Sequence, residues 1–202
     1  MLSRKKDSYN IIILGDPGVG KTSIFTQFIN KQFNPQYNRS FDLNFEVKNI
    51  TIHNETLTLK IWDTSSYEMI GNNGSNIFLK ADCCILVYDI TNIDSFNVLS
   101  IWKNMFLMKF IPRTMSNFPF IVLGNKVDYI KIRTVDTLQA LTWCKTNGDM
   151  SFYEVSAKEN INLENAFQDA AKKAILYQKD EENYKSGINL RPSDFKSSNC
   201  YG

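Results

Sequence analysis

The sequence predicts an α/β fold in which a mostly parallel sheet, carrying one antiparallel hairpin strand, is covered by helices on both faces. Three observations lead there. Short apolar runs, "NIIIL", "LTLKIW", "CCILVYD" and "FPFIVLGN", read as strands, the continuous ones among them fitting strands buried on both faces. Between them lie longer segments, among them "KTSIFTQFINKQ", "DSFNVLSIWKNMFLMK" and "NLENAFQDAAKKAILYQ", whose apolar residues recur at helical spacing. In "FEVKNITIHNETLTLKIW", two alternating runs flank "HNE", the mark of an antiparallel hairpin.

Taken in order, residues 1–8 read as a short basic extension ahead of a domain spanning 9–177. The "IIIL" that follows is too short for a signal-peptide core, and Leu2 excludes myristoylation. No apolar run approaches the ~18 residues of a membrane span. The first strand enters a glycine-rich loop and then a helix. His53, the only histidine, falls at the hairpin turn and reads as a solvated turn residue, since no carboxylate or nucleophile is visibly paired with it. From Gln178 the chain turns to Asp, Glu, Asn, Lys, Ser and Gly, so 178–202 reads as a flexible tail.

With 202 residues, 43% hydrophobic and 22% charged, the chain suffices for one core and one domain. A formal net charge of +2 provides no electrostatic footprint for nucleic acid. The four cysteines, Cys83, Cys84, Cys144 and Cys200, have neither zinc-like nor disulfide-framework spacing, which points to a reducing compartment. A cytosolic protein is expected.

The chemistry begins at "GDPGVGKTS". Gly15, Asp16, Pro17, Gly18, Val19, Gly20, Lys21 and Thr22 satisfy G-x-x-x-x-G-K-[ST], followed by Ser23, after a strand and before a helix as the motif requires. Glycines leave backbone N–H groups free to surround β-phosphate oxygens, and the helix N-terminus adds partial positive charge. Lys21 is placed to neutralise β- and γ-oxygens, and the Thr22 hydroxyl to ligate Mg²⁺. "NKVD", Asn125 to Asp128, selects the base: it follows a strand directly, and an Asp128 carboxylate can accept from the guanine N1–H and exocyclic amine, a donor pair adenine lacks. "SAK", Ser156 to Lys158, follows a further strand. GTP and GDP are the expected ligands.

Together these motifs resemble a Ras-superfamily small GTPase, and specifically the Rab family. "LKIWDT" and "LVYDIT" are similar to Rab signature stretches, while "NKQFNPQY", "ADCCILVYDIT", "NFPFIVLGNKVD" and "SAKENINLENAF" resemble the late-endosomal and lysosomal subfamily. The resemblance implies the P-loop small-GTPase fold, with a six-stranded sheet, and a monomer working with effectors, exchange factors and GTPase-activating proteins. It further implies that Phe33 stacks on the guanine with Lys126 on its other side, and that Ala157 offers its N–H to the guanine oxygen. Tyr37 and Ser40 map onto the first switch, Ser40 standing where the family has the threonine that binds Mg²⁺. Asp63 maps onto the aspartate that holds the Mg²⁺ shell through water.

The pattern breaks in the second switch. Where the family has Asp-Thr-Ala-Gly-Gln-Glu, this chain has "DTSSYE", Asp63 to Glu68. Ser66 replaces the glycine whose N–H turns to the γ-phosphate, and Tyr67 replaces the glutamine that orients the attacking water. Slow hydrolysis is expected. "GNNGSN" favours a loop where the switch is usually helical. Pro17 fixes φ but removes an N–H, and Asp42 is either a solvated loop carboxylate or a charge on the effector surface. Cys200, with two residues after it, fits neither the double-cysteine ending nor C-a-a-X, and is either a single prenylation site giving weak membrane association or an exposed thiol. Two readings follow: a Rab-type switch on the cytosolic face of endosomal and lysosomal membranes, and a nucleotide-locked module that sequesters partners. A P-loop kinase or ATPase is disfavoured by "NKVD" and by the lack of an arginine-rich lid.

Overall fold

In the computed structural model, which describes residues 6, 8–34, 44–52, 54–64, 78–109 and 118–188, the first apolar run forms strand β1, Ser8–Gly15. Its Ile11, Ile12, Ile13 and Leu14 are all fully buried, which is possible only where both faces of a strand are covered. Ile11 and Ile13 join one core, Ile12 and Leu14 the other. After β1 come α1 (Lys21–Asn30), β2 (Asn44–Ile52), β3 (Glu55–Asp63), β4 (Cys83–Asp89), α2 (Ile93–Asn97) and α3 (Leu99–Lys109). They are followed by β5 (Phe120–Asn125), a 3₁₀ segment (Val127–Ile132), α4 (Thr137–Thr146), β6 (Ser151–Glu154) and α5 (Leu163–Ile188).

The six strands lie in the order β2-β3-β1-β4-β5-β6. β2 pairs with β3 antiparallel, and every other pairing is parallel. The hairpin register runs from Asn44 opposite Asp63 to Ile52 opposite Glu55, with Asn54 at φ 64° in the connection. His53 itself lies outside the described residues.

One core packs α1 and α5 against the sheet. The buried face of α5 carries Ala166, Ala170, Ala171 and Ala174, small residues that let the helix lie close, together with Phe167, which stacks on Phe28 of α1 with ring centroids 3.8 Å apart. The other core packs Phe96, Leu99, Trp102, Phe106, Ala140 and Cys144 against the opposite face. Cys83, Cys84 and Cys144 are free and buried, serving as small apolar packing groups.

Two expectations change. The segment read as one helix from Asp94 divides at Val98 into α2 and α3. The tail expected from Gln178 starts as helix, since α5 continues to Ile188. Gln178, Lys179, Glu181, Glu182 and Lys185 are good helix formers, and Gln178 donates to Glu182 while Tyr177 donates to Glu181, both at the i,i+4 spacing that supports a helix without a core.

Because Phe167 and Phe28 hold the two helices of one core together, Phe167→Ala should lower the unfolding free energy by about 3–5 kcal/mol, measured by denaturant titration at fixed GDP. Met108→Ala, at a position 82% exposed on α3, should change it by no more than about 0.5 kcal/mol in the same assay.

Candidate nucleotide-binding site

The C-terminal ends of β1, β5 and β6 bring three loops to one edge of the sheet, beside the end of β3, the edge at which parallel α/β proteins bind ligands. The glycine-rich loop is held by contacts that leave no room for side chains at its two limbs. Gly15 has φ +146°, and a Cβ there would stand 2.2 Å from the Val87 carbonyl oxygen. Gly20 has φ +98°, and its Cβ would meet the Asn125 amide nitrogen at 2.3 Å. Lys21 opens α1 with its side chain folded back into the loop, donating to the carbonyls of Gly15 at 2.7 Å and Asp16 at 2.9 Å. The Thr22 hydroxyl donates to Asp63 Oδ2 at 2.7 Å. Thr64 fastens the end of β3 to β1 through Ile13 O at 2.7 Å.

Thr22 and Asp63 form a small, hard oxygen pair beside the loop. This donor set fits Mg²⁺, which binds through one or two protein oxygens and takes its remaining ligands from phosphate and water. When bound, the ion would neutralise charge on the phosphates.

The base side is built around Asn125. Its amide nitrogen donates to Val19 O at 2.9 Å, and its amide oxygen accepts from the Ala157 N–H at 3.2 Å, so one side chain joins the glycine-rich loop to "SAK". Asp128 accepts from the Ser156 hydroxyl at 2.7 Å, and Ser156 in turn accepts from the Glu159 N–H at 3.0 Å. Lys126, at φ 73°, spans from Gly18 O at 2.9 Å to Asp89 Oδ2 at 2.6 Å. These groups enclose a cleft of about 420 Å³ whose walls include Gly18, Gly20, Thr22, Ser23, Phe33, Asn125, Lys126, Asp128, Ala157 and Lys158.

The structure therefore brings the expected phosphate and base residues together. The Ala157 N–H is donated to Asn125 rather than standing open toward the cleft. Pro17 and Gly18 are exposed, and Val19 is buried beneath the loop. Tyr37, Ser40, Asp42, Ser66, Tyr67 and Cys200 lie outside the described residues. Two residues of the site were not singled out from the sequence. Asp89, the acid of "LVYDIT", had a signal in its place at a strand's C-terminal end. Trp102, whose indole donates to Asp16 at 2.7 Å across a separation of 86 residues, had none.

The Ras family model matches residues 10–176 of the chain. Ras-related protein Rab-7a of Paramecium octaurelia is 47% identical over 182 residues, 90% of this chain and 88% of that protein. Ras-related protein Rab7 of Drosophila melanogaster is 43% identical over 182 residues, 90% and 87%. The chain belongs to the Ras family, as a Rab small GTPase of the Rab7 subfamily. The Ypt/Rab-type GTPase Rab7 of Neurospora crassa, 41% identical over 183 residues covering 90% and 89%, agrees.

In this Rab GTPase Lys21 is buried, and the loss of hydration pushes its pKa down to about 8, against the opposing pull of the Asp63 and Asp16 carboxylates. A polyphosphate favours the ammonium and so raises that pKa. Binding above about pH 8 must then take up a proton, and affinity falls as pH rises through that value. GDP titrated calorimetrically in two buffers of different ionisation enthalpy should show greater proton uptake at about pH 8.5 than at about pH 7. Equal uptake at both would contradict the assignment.

Proposed function

We propose that this Rab GTPase binds GTP and GDP with Mg²⁺, acts as a switch that recruits effectors on endosomal and lysosomal membranes, and hydrolyses GTP slowly unless an activating protein assists. The observation that carries the nucleotide reading is the Asn125 clip. It joins the glycine-rich loop to Ala157 beside a cleft that Gly18, Gly20 and Asp128 all line, which supports a guanine base and its phosphates as the ligand. Phe33 and Lys126 both line this cleft, which supports the reading that they cover the two faces of the base. Ser156 holds the Asp128 carboxylate so that its remaining lone pairs are available to the guanine N1–H and amine. Tyr37 and Ser40 would complete the phosphate side, Ser40 keeping the metal-binding hydroxyl.

Hydrolysis forms a bond between the water oxygen and the γ-phosphorus, breaks the bond to the bridging β–γ oxygen, and releases GDP and phosphate. In such reactions the protein positions water and stabilises charge. Lys21 and the loop N–H groups supply the charge. Water positioning is the weak part, because Tyr67 lacks the amide's paired donor and acceptor and Ser66 resists the backbone freedom of glycine. The activating proteins implied by the resemblance to Rabs supply both an arginine and a glutamine in trans, which would restore much of the rate.

The partner surface in this reading includes the edge strand β2, where Phe45, 49% exposed, packs on Trp62 at 4.4 Å. Cys200, if prenylated, would add one lipid and weak, reversible membrane association. No helix among the described residues is long and apolar enough to cross a membrane.

Two experiments test the proposal. Asp128→Asn should shift selectivity from guanine toward xanthine nucleotides by about 10²-fold or more, measured by competition binding, because the amide can donate where the carboxylate could only accept. Equal affinity of the unsubstituted protein for ATP and GTP would defeat the base assignment. Single-turnover GTP hydrolysis should be very slow in the unsubstituted protein, modestly faster in Tyr67→Gln and faster again in Ser66→Gly with Tyr67→Gln. A basal rate in the unsubstituted protein equal to that of the double variant would refute the reading of the second switch.

A further inference from the structure

The glycine-rich loop carries a carboxylate, Asp16, one residue after its first glycine. A negative side chain in a loop that holds polyphosphate opposes its own ligand unless it is directed elsewhere. The structure shows how it is directed. Trp102 of α3, only 7% exposed, donates its indole N–H to Asp16 Oδ1 at 2.7 Å. An indole nitrogen donates only and needs a partner when buried, and a bond to an ionised acceptor is among the stronger kinds. The Asp16 backbone carbonyl meanwhile accepts from Lys21, so the indole acts one residue away from the phosphate lysine.

The two limbs of the loop are thus held by different means. Asn125 and Lys126 hold the later limb through the carbonyls of Val19 and Gly18. The early limb has Gly15 wedged against Val87 and then Asp16 tied to α3, followed by Pro17, which has no N–H to contribute.

We propose that Trp102 is a positioning residue for nucleotide retention: its indole N–H holds the Asp16 carboxylate toward α3, away from bound phosphates, and so lengthens the residence of GDP. The inference rests on the nucleotide-site reading given above. Trp102→Phe keeps most of the ring's packing and removes the donor, leaving Asp16 free to turn toward the phosphates.

The test is the rate of GDP release from the full-length, Mg²⁺-loaded protein, followed with a fluorescent GDP analogue. Trp102→Phe should release it faster on the order of tenfold, the worth of a charge-assisted hydrogen bond. Adding Asp16→Ala to Trp102→Phe should bring the rate most of the way back, because the carboxylate that the indole restrained is then gone. A Trp102→Phe rate equal to that of the unsubstituted protein overturns the proposal. So does a double variant as fast as the single one, since the cause would then be core packing. Should Trp102→Phe fail to fold, the indole ¹⁵N–¹H resonance of Trp102 in the unsubstituted GDP complex decides. Slow hydrogen exchange, accelerated by Asp16→Ala, supports the bond, and exchange at the rate of an exposed indole overturns it. A chain that binds no GDP at all would overturn the nucleotide site and this inference together, whereas a tight-binding chain indifferent to Trp102→Phe overturns the inference alone.

Discussion

One amide side chain sets the geometry on which the site depends. Asn125, at the last position of β5, is almost fully buried and uses both ends of its amide, donating to Val19 O and accepting from the Ala157 N–H. The partners it joins lie far away in the chain, Val19 by 106 residues and Ala157 by 32. Joined through one planar group, they lose the freedom to move apart, and the ordering needed for nucleotide binding is met largely by the fold. The close approach of Asn125 to Gly20 explains why that position must be glycine: any Cβ would collide with the group that makes the clip.

Electrostatics follow from the same convergence. Lys21 and Lys126 both lie along the glycine-rich loop and both are held by loop carbonyls, Lys21 by Gly15 and Asp16, Lys126 by Gly18. Their acidic neighbours differ in role. Asp89 pairs with Lys126 at 2.6 Å and also accepts from the Thr91 N–H and hydroxyl, which locks the lysine's reach across the base side. Asp63 is bonded to Thr22 and gives the loop an oxygen pair suited to Mg²⁺. Asp16 is turned aside by Trp102. The positive charge that phosphates need is therefore kept in the loop, while each nearby carboxylate has its own task. Farther out, Glu154 at the end of β6 is gripped by Arg133 at 2.5 and 3.0 Å and by Thr137 at 2.8 Å, which steadies the strand that delivers "SAK".

Much of this was legible in the chain because it rests on local rules. Unbroken apolar runs such as "CCILVYD" can be stable only as doubly covered strands, so a mostly parallel sheet with helices on both faces follows from them. Gly15, Gly18, Gly20, Lys21 and Thr22 are demanded by the chemistry of phosphate at fixed spacing, and Asp128 by the donor pattern of guanine. The sequence by itself also departs from the Rab pattern at "DTSSYE", where Ser66 and Tyr67 stand in place of the family's glycine and glutamine. The end of the domain is not legible in this way: polar composition after Gln178 suggests a tail, whereas α5 runs to Ile188, with side-chain pairs at Tyr177–Glu181 and Gln178–Glu182.

Only the tertiary structure decided which side chains hold the site together. The bonds from Trp102 to Asp16 and from Lys126 to Asp89, and the clip made by Asn125, join residues 86, 37 and 32 positions or more apart, and neither periodicity nor motif spacing says which atoms meet. A tryptophan at helical spacing on an apolar face looks the same in sequence whether its indole N–H meets a carboxylate or not. Contacts of that kind depend on how helices and strands pack, and packing is fixed by the whole core rather than by any stretch of it.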